Sequence, residues 1–295
     1  MTWLYLVIIG QFLAAVVFLV DKYLISSRAI GKPVVYAFYI GTLSGVVILL
    51  LPFGLVNAPT LKVIWLAFAI AVPYILSIYC LYSSLRAADA SDVAPVMAAV
   101  SALATLVFSM VFLKSSLPPN FFLGFPYLIF GTLLMSYFRF NRRATGYVIL
   151  AAILFGLSSV FVKMMLNITD FWNGFFWSRM ANVIGAAFLL IWPANLKSVL
   201  DNAKTSSLET KFLVIANKGL AGLAFLLLLL AIDLGDVSVV NALNGIQFVF
   251  LLIFAFLFTY KYPHYFHEAV HREPNVVKKV LAACLIIVGF LILFL

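Results

Sequence analysis

Ten apolar segments, each about as long as a helix that crosses a bilayer, occupy most of this 295-residue chain. A crossing helix needs roughly 20 apolar residues for a hydrocarbon core of about 30 Å. The spacing predicts spans near 3–25, 34–55, 62–85, 92–113, 120–138, 145–166, 171–193, 210–232, 236–258 and 275–294. Only short loops remain, so no independent soluble domain is expected. Charged residues make up 10% of the chain and hydrophobic ones 65%, against about 25% charged in a soluble domain. The runs are continuous and rich in Leu, Ala and Gly rather than alternating, which excludes a membrane β-barrel. Backbone polar groups in lipid must be satisfied internally, so the expected class is an all-α integral membrane protein.

The net charge of +9 is distributed unevenly. Loops 1–2, 3–4, 5–6, 7–8 and 9–10, with the adjoining span ends, hold fourteen Lys and Arg residues, while the other loops hold only Lys62 and Lys114. This is a positive-inside pattern, placing the odd-numbered loops in the cytoplasm and both termini outside. Attraction to anionic lipid accounts for the excess and nucleic acid is not an expected partner. Cys80 and Cys284 both fall within spans and read as small packing residues. The first span lacks a basic leading region and a small-residue cleavage site, so it is not read as a removable signal.

The second five spans look like a copy of the first five. Residues 87–93 read Ala-Ala-Asp-Ala-Ser-Asp-Val and residues 231–237 read Ala-Ile-Asp-Leu-Gly-Asp-Val. Asp89 thus aligns with Asp233, Asp92 with Asp236 and Val93 with Val237, at an offset of 144. Lys22 pairs with Lys163 at offset 141, Gly45 with Gly185 at 140, and Gly131 with Gly289 at 158. The jump from 144 to 158 places a 14-residue insertion near 260–275. The expected repeats are 1–140 and 141–295. Five spans per repeat is odd, so the copies enter the membrane from opposite sides. Inverted repeats of this kind are a common transporter plan, with the substrate site near the midplane.

With these features the chain resembles the EamA-type branch of the drug/metabolite transporter superfamily. The resemblance rests on ten spans in two halves, on Lys22 and Lys163 ending the first helix of each half, and on Arg179 early in the second helix of the second half. It rests also on residues 81–96, Leu-Tyr-Ser-Ser-Leu-Arg-Ala-Ala-Asp-Ala-Ser-Asp-Val-Ala-Pro-Val, which are similar to the family's passage between helices 3 and 4. The chain departs from the family where Leu-Gly-Glu is usual, reading Leu113-Lys114-Ser115 and Thr259-Tyr260-Lys261, and has Val239 opposite Pro95. The resemblance implies that spans 1–4 and 6–9 surround a midplane cavity, with spans 5 and 10 peripheral.

Charges at membrane depth are costly and usually face a cavity. Lys163 lies one turn from a helix end and either snorkels to the interface or faces inward. Arg179 and Lys218 each lie eight residues into a predicted span, about 12 Å deep at 1.5 Å per residue. No Asp or Glu is placed deep in a span, so both cations are expected to lack acidic partners and to favour an anion. Asn241, Asn244 and Gln247, at i, i+3 and i+6, share a broad face and serve either the cavity or interhelical hydrogen bonding. Asn182 lies one turn from Arg179. Tyr39, Tyr74 and Trp177 sit on spans expected to line the cavity. Ser101, Thr105 and Ser109 read as packing contacts, and Gly41, Gly45, Gly156, Gly185 and Gly222 as points of close helix approach. The expected substrate is a small polar metabolite, anionic or zwitterionic, moved by alternating access.

A competing enzyme reading rests on His267-Glu268-Ala269-Val270-His271, an H-E-x-x-H. On a helix its histidines share a face and can hold zinc, with the glutamate as general base and His264 or Glu273 as third ligand. The stretch between Pro263 and Pro274 has only ten residues, too few to build a shaped site, and it reads as an interfacial segment. The expectation is a multi-pass carrier in the cell's inner or plasma membrane, not an enzyme. It needs no cofactor or metal, acts as a monomer or homodimer, and has a small molecule and the lipid bilayer as its partners.

Overall fold

The computed structural model describes residues 2–26, 32–88, 90–114, 117, 119–136, 141–205, 208–261 and 276–294. These residues form helices α1 (Thr2–Ser26), α2 (Pro33–Leu43), α3 (Leu61–Leu85), α4 (Ala90–Phe112), α5 (Phe121–Leu134) and α6 (Arg142–Ile168). There follow α7 (Phe171–Phe188), α8 (Pro193–Thr205), α9 (Leu208–Leu234), α10 (Val237–Ala242), α11 (Ile246–Lys261) and α12 (Val276–Phe294). No strand occurs among them. Among the described residues seven helical segments are long and apolar enough to cross a membrane: Thr2–Asp21, Pro33–Phe53, Leu61–Leu85, Asp92–Phe112, Arg142–Ile168, Phe171–Ile191 and Lys211–Leu234. The chain is an all-α, multi-pass membrane protein. Large side chains such as Phe53, Trp65 and Phe122 are exposed on its flanks, as lipid-facing positions require.

Local chemistry sets where the helices begin. Thr60, Asn141, Asp170 and Asp236 each accept a hydrogen bond from a backbone N–H in the first turn that follows, satisfying donors the helix leaves free. Pro33 opens α2, where its missing N–H costs nothing. The predicted second span is regular only to Leu43; it continues as a 3-10 helix, Ser44–Phe53, and stops at Gly54 with a φ of +67°. The predicted ninth span is likewise broken, by a 3-10 turn at Leu243–Gly245 between α10 and α11. The loop expected after the seventh span contains a helix instead, the polar-faced α8. Its Val199 packs under Val34 and Val35 of α2, and Ser198 accepts a bond from Lys32 at 2.8 Å.

Packing is led by four helix pairs: α3 with α6, α5 with α12, α1 with α9, and α4 with α6. Serine hydroxyls zip the first pair. Ser77 and Ser84 of α3 donate to the Ala151 and Ala144 carbonyls, at 2.8 and 3.1 Å, and Ser158 of α6 donates to the Ile70 carbonyl at 3.0 Å. Such bonds replace the missing hydrophobic drive between helices in lipid. Gly156 lets α4 approach α6: a Cβ there would lie 2.9 Å from the Thr105 nitrogen. By contrast Gly222 has open space around it, so its expected role in close approach is corrected.

Candidate functional site

Two poles organise the molecule. At one, α1 ends, α2 begins, α3 ends and α9 begins; Ser84 there joins the end of α3 to the start of α6. At the other, α6 and α9 end and α7 and α10 begin; Lys163 there donates to the Ile232 and Asp233 carbonyls at 2.7 and 2.9 Å. Lys163 therefore caps the last turn of α9, where free carbonyls and the helix dipole favour a cation. Trp177, expected in the cavity, also serves this second pole. Its Nε1 donates to the Asn57 carbonyl at 3.2 Å, while the Asn57 N–H donates to Asn173 Oδ1 at 2.8 Å.

A cavity of about 60 Å³ lies between α3, α6, α7, α9 and α10, reaching from mid-depth toward the second pole. A single water needs roughly 10–15 Å³ of such space, so the cavity suits a few waters or one small group. Tyr74, Phe155, Arg179, Phe225 and Asn241 line it, with Ser158, Ser159, Asn244 and aliphatic residues of α6 and α9 completing the wall. Arg179 is 7% exposed. Its guanidinium carbon sits 3.9 Å from the centre of the Phe225 ring and 5.4 Å from that of Tyr74. Aromatic faces attract a guanidinium when water is excluded, and the Tyr74 hydroxyl also serves the Arg179 side chain as a hydrogen-bond acceptor. The Arg179 Nε has no hydrogen-bond partner, and among the described residues no carboxylate pairs with this arginine. One turn away, Asn182 is wholly buried with neither side-chain oxygen nor nitrogen partnered, though it is not part of the cavity wall.

Lys218 is placed differently from the expectation. It is not part of the wall, and it has an acidic partner: its Nζ lies 2.8 and 2.9 Å from the two oxygens of Asp21. The expectation of an unpaired cation is corrected here. Asp21 lies in the last two turns of α1, where the sequence alone suggests a solvated helix end. The fold turns that end inward against α9. Asn217 Nδ2 donates to the same carboxylate at 2.7 Å, and the Tyr36 hydroxyl of α2 donates to it as well. The Lys218 ammonium also lies 4.6 Å from the centre of the Tyr36 ring, which packs on Tyr82. A buried ion pair is tolerable only when further hydrogen bonds satisfy it, as they do here.

The three amides expected on one face diverge. Asn241 lines the cavity and donates to Thr105 Oγ1 at 3.0 Å; Asn244 lines it and accepts from Gln11 at 2.7 Å. Gln247 faces α1 instead, donating to the Ala14 carbonyl at 3.2 Å. Tyr39 points to α8, within 3.5 Å of Asn202. The structure thus gathers Arg179, Tyr74, Asn241 and Asn244 at one cavity and leaves Lys218, Asn182, Gln247, Trp177 and Tyr39 off its wall. It adds Phe225, Ser158 and Ser159, which carry no signal in so apolar a sequence.

The segment containing His264, His267, Glu268, His271 and Glu273 lies outside the described residues. Among those described, no group of three or more His, Cys, Asp or Glu residues is placed to hold a metal. No protein-family model and no curated protein matches the chain. A solved structure described only as "Crystal structure of protein" is similar over 97% of this chain and 95% of its own, with a TM-score of 0.66 at 17% identity. That likeness shows a shared fold and carries no activity with it.

Proposed function

We propose that this chain is a ten-span, inverted-repeat secondary transporter of the EamA type that carries a small organic anion or zwitterion through the Arg179 cavity by alternating access. The observation that carries the proposal is Arg179. A permanent charge at membrane depth, between aromatic rings and without a carboxylate, is an expense that a substrate anion offsets. The largely apolar wall suits a small apolar body behind a single carboxylate or similar group.

The repeat is supported by packing that repeats itself. Exchanging α1 with α6, α3 with α9, and α4 with α10–α11 turns the α3–α6 pair into the α9–α1 pair. The same exchange turns the α4–α6 pair into the pair of α1 with α11; all four are packed. The α5–α12 pair maps onto itself in detail. A Cβ on Gly131 would lie 2.9 Å from the Ala282 oxygen and the Ile286 nitrogen. A Cβ on Gly289 would lie 2.9 Å from the Gly124 oxygen and 2.8 Å from the Leu128 nitrogen. Adding the offset of 158 to Gly131, Gly124 and Leu128 gives Gly289, Ala282 and Ile286. In this reading the fourteen basic residues place the first pole in the cytoplasm, and the cavity faces outward.

The test is thermal stability of the purified protein against monocarboxylates, amino acids, dicarboxylates and sugar phosphates. A ligand bound only by the folded state raises stability by mass action, by about 2.7 kcal/mol at a hundredfold excess over Kd. Dose-dependent stabilisation by one anionic class, weakened about 10- to 100-fold in Arg179→Gln, is expected. A panel without effect, or the same response in the variant, would sink the proposal.

A further inference from the structure

We propose that the Asp21–Lys218–Tyr36 cluster is the closed gate at the first pole, and that opening moves Lys218 from Tyr36 to Tyr39, one turn along α2. The inference rests on the transporter reading and deepens it. The cluster stands seven residues from Phe225 along α9, about 10 Å on the first-pole side of the cavity. It stands on the first-pole side of Arg179, Phe225 and Tyr74, which line the cavity.

What marks it as a gate is a break in the repeat's symmetry. α3 packs closely along α7. The equivalent pair in the other repeat is α9 with α2, and among the described residues these two helices scarcely meet. Their link is polar: Tyr36 bonds Asp21, and Lys218 pairs with Asp21 and lies over the Tyr36 ring. Tyr39 corresponds to Arg179 at the offset of 140, and Lys218 to Tyr74 at 144. The inverted counterpart of the Arg179–Tyr74 contact seen here is therefore a Lys218–Tyr39 contact. In an inverted-repeat carrier the two halves exchange conformations between the two states. The opposite state then has α2 packed on α9 with Lys218 over Tyr39, α3 parted from α7, and the Asp21 carboxylate released from Lys218 and Tyr36. The facing groups among the described residues are Asp21 on α1, Tyr36 on α2, Tyr82 on α3, and Asn217 and Lys218 on α9.

The test reads accessibility and needs no substrate. Ser159→Cys places a thiol on the cavity wall in a background carrying Cys80→Ala and Cys284→Ala, and a membrane-impermeant maleimide is applied from either side of sealed vesicles. With the gate intact, labelling comes from the second pole. Asp21→Asn and Lys218→Met are each expected to raise labelling from the first pole about tenfold. The exchange Asp21→Lys with Lys218→Asp restores the closed pattern, and Tyr36→Phe, which keeps the ion pair, gives a smaller rise. First-pole labelling that is already fast without the gate changes, or unchanged by every variant that folds, overturns the gate. If only Tyr36→Phe folds, its rise or the lack of one decides. Should the variants open the first pole while no anion is bound or carried, the gate stands and the substrate reading fails; transport with unchanged labelling gives the reverse.

Discussion

Arg179 was legible in the sequence because a guanidinium in the middle of an apolar run has few uses, and Tyr74 followed from its place on a cavity-lining span. Lys218 had the same signature and a different role. Its partner Asp21 is 197 residues away and near a helix end, so only the fold could bring the two together. Phe225, which covers the Arg179 guanidinium, is one of 29 phenylalanines and could not be singled out. Asp170 shows how a residue outside the spans contributes. It caps α7 and bonds Asn173. Burial works against its ionisation but is outweighed by the hydrogen bonds from Asn173, which hold the carboxyl below its ordinary value. A carboxyl lowered in the folded state stabilises above its ordinary pKa, and that contribution is lost as pH falls through the folded value. Asp170→Ala is therefore expected to lower stability by about 0.5–1 kcal/mol at neutral pH, the group being exposed. Melting curves of both proteins taken between neutral and acidic pH should show the gap narrowing on acidification. A gap that is constant with pH would assign the effect to something other than the charged cap.

At the scale of elements, hydropathy marked most helices but not their interruptions. Residues 44–53 are as apolar as any span, so nothing in composition distinguishes their 3-10 geometry from a continued α-helix. α8 was read as loop because it is too polar to cross a membrane; its amphipathic seat on α2 depends on Val34 and Val35, which the sequence assigns to another span. The α5–α12 pair was better marked, since Gly131 and Gly289 recur at the repeat offset and both prove to be points of backbone contact. Gly289→Leu should force these helices apart at a cost of about 1–3 kcal/mol, the usual penalty for overpacking. The substitution lies away from the cavity, so melting temperature should fall while anion affinity in the surviving folded protein is retained. An unchanged melting temperature would mean that the close approach at Gly124 and Leu128 is not a stabilising contact.

Across the whole molecule, the proposed duplication would account for both the paired helix packing and its asymmetry. Offsets of 140, 144 and 158 were readable because Asp, Gly and Lys stand out in an apolar background. Which pole the proposed gate closes was not readable, because that reading depends on how α3–α7 and α2–α9 differ in packing rather than on what residues they carry. The charge count predicts a cytoplasmic first pole, so the sidedness of the gate and the sidedness of the basic loops are a single claim. The central claim is that the Arg179 cavity carries an anion. The most direct measurement is uptake of radiolabelled small carboxylates and amino acids into proteoliposomes, comparing the unaltered protein with Arg179→Gln. Saturable uptake of at least one compound, reduced about tenfold or more in the variant, is the result this account predicts. Uptake no greater than in protein-free liposomes for every compound, or uptake indifferent to Arg179, would contradict it.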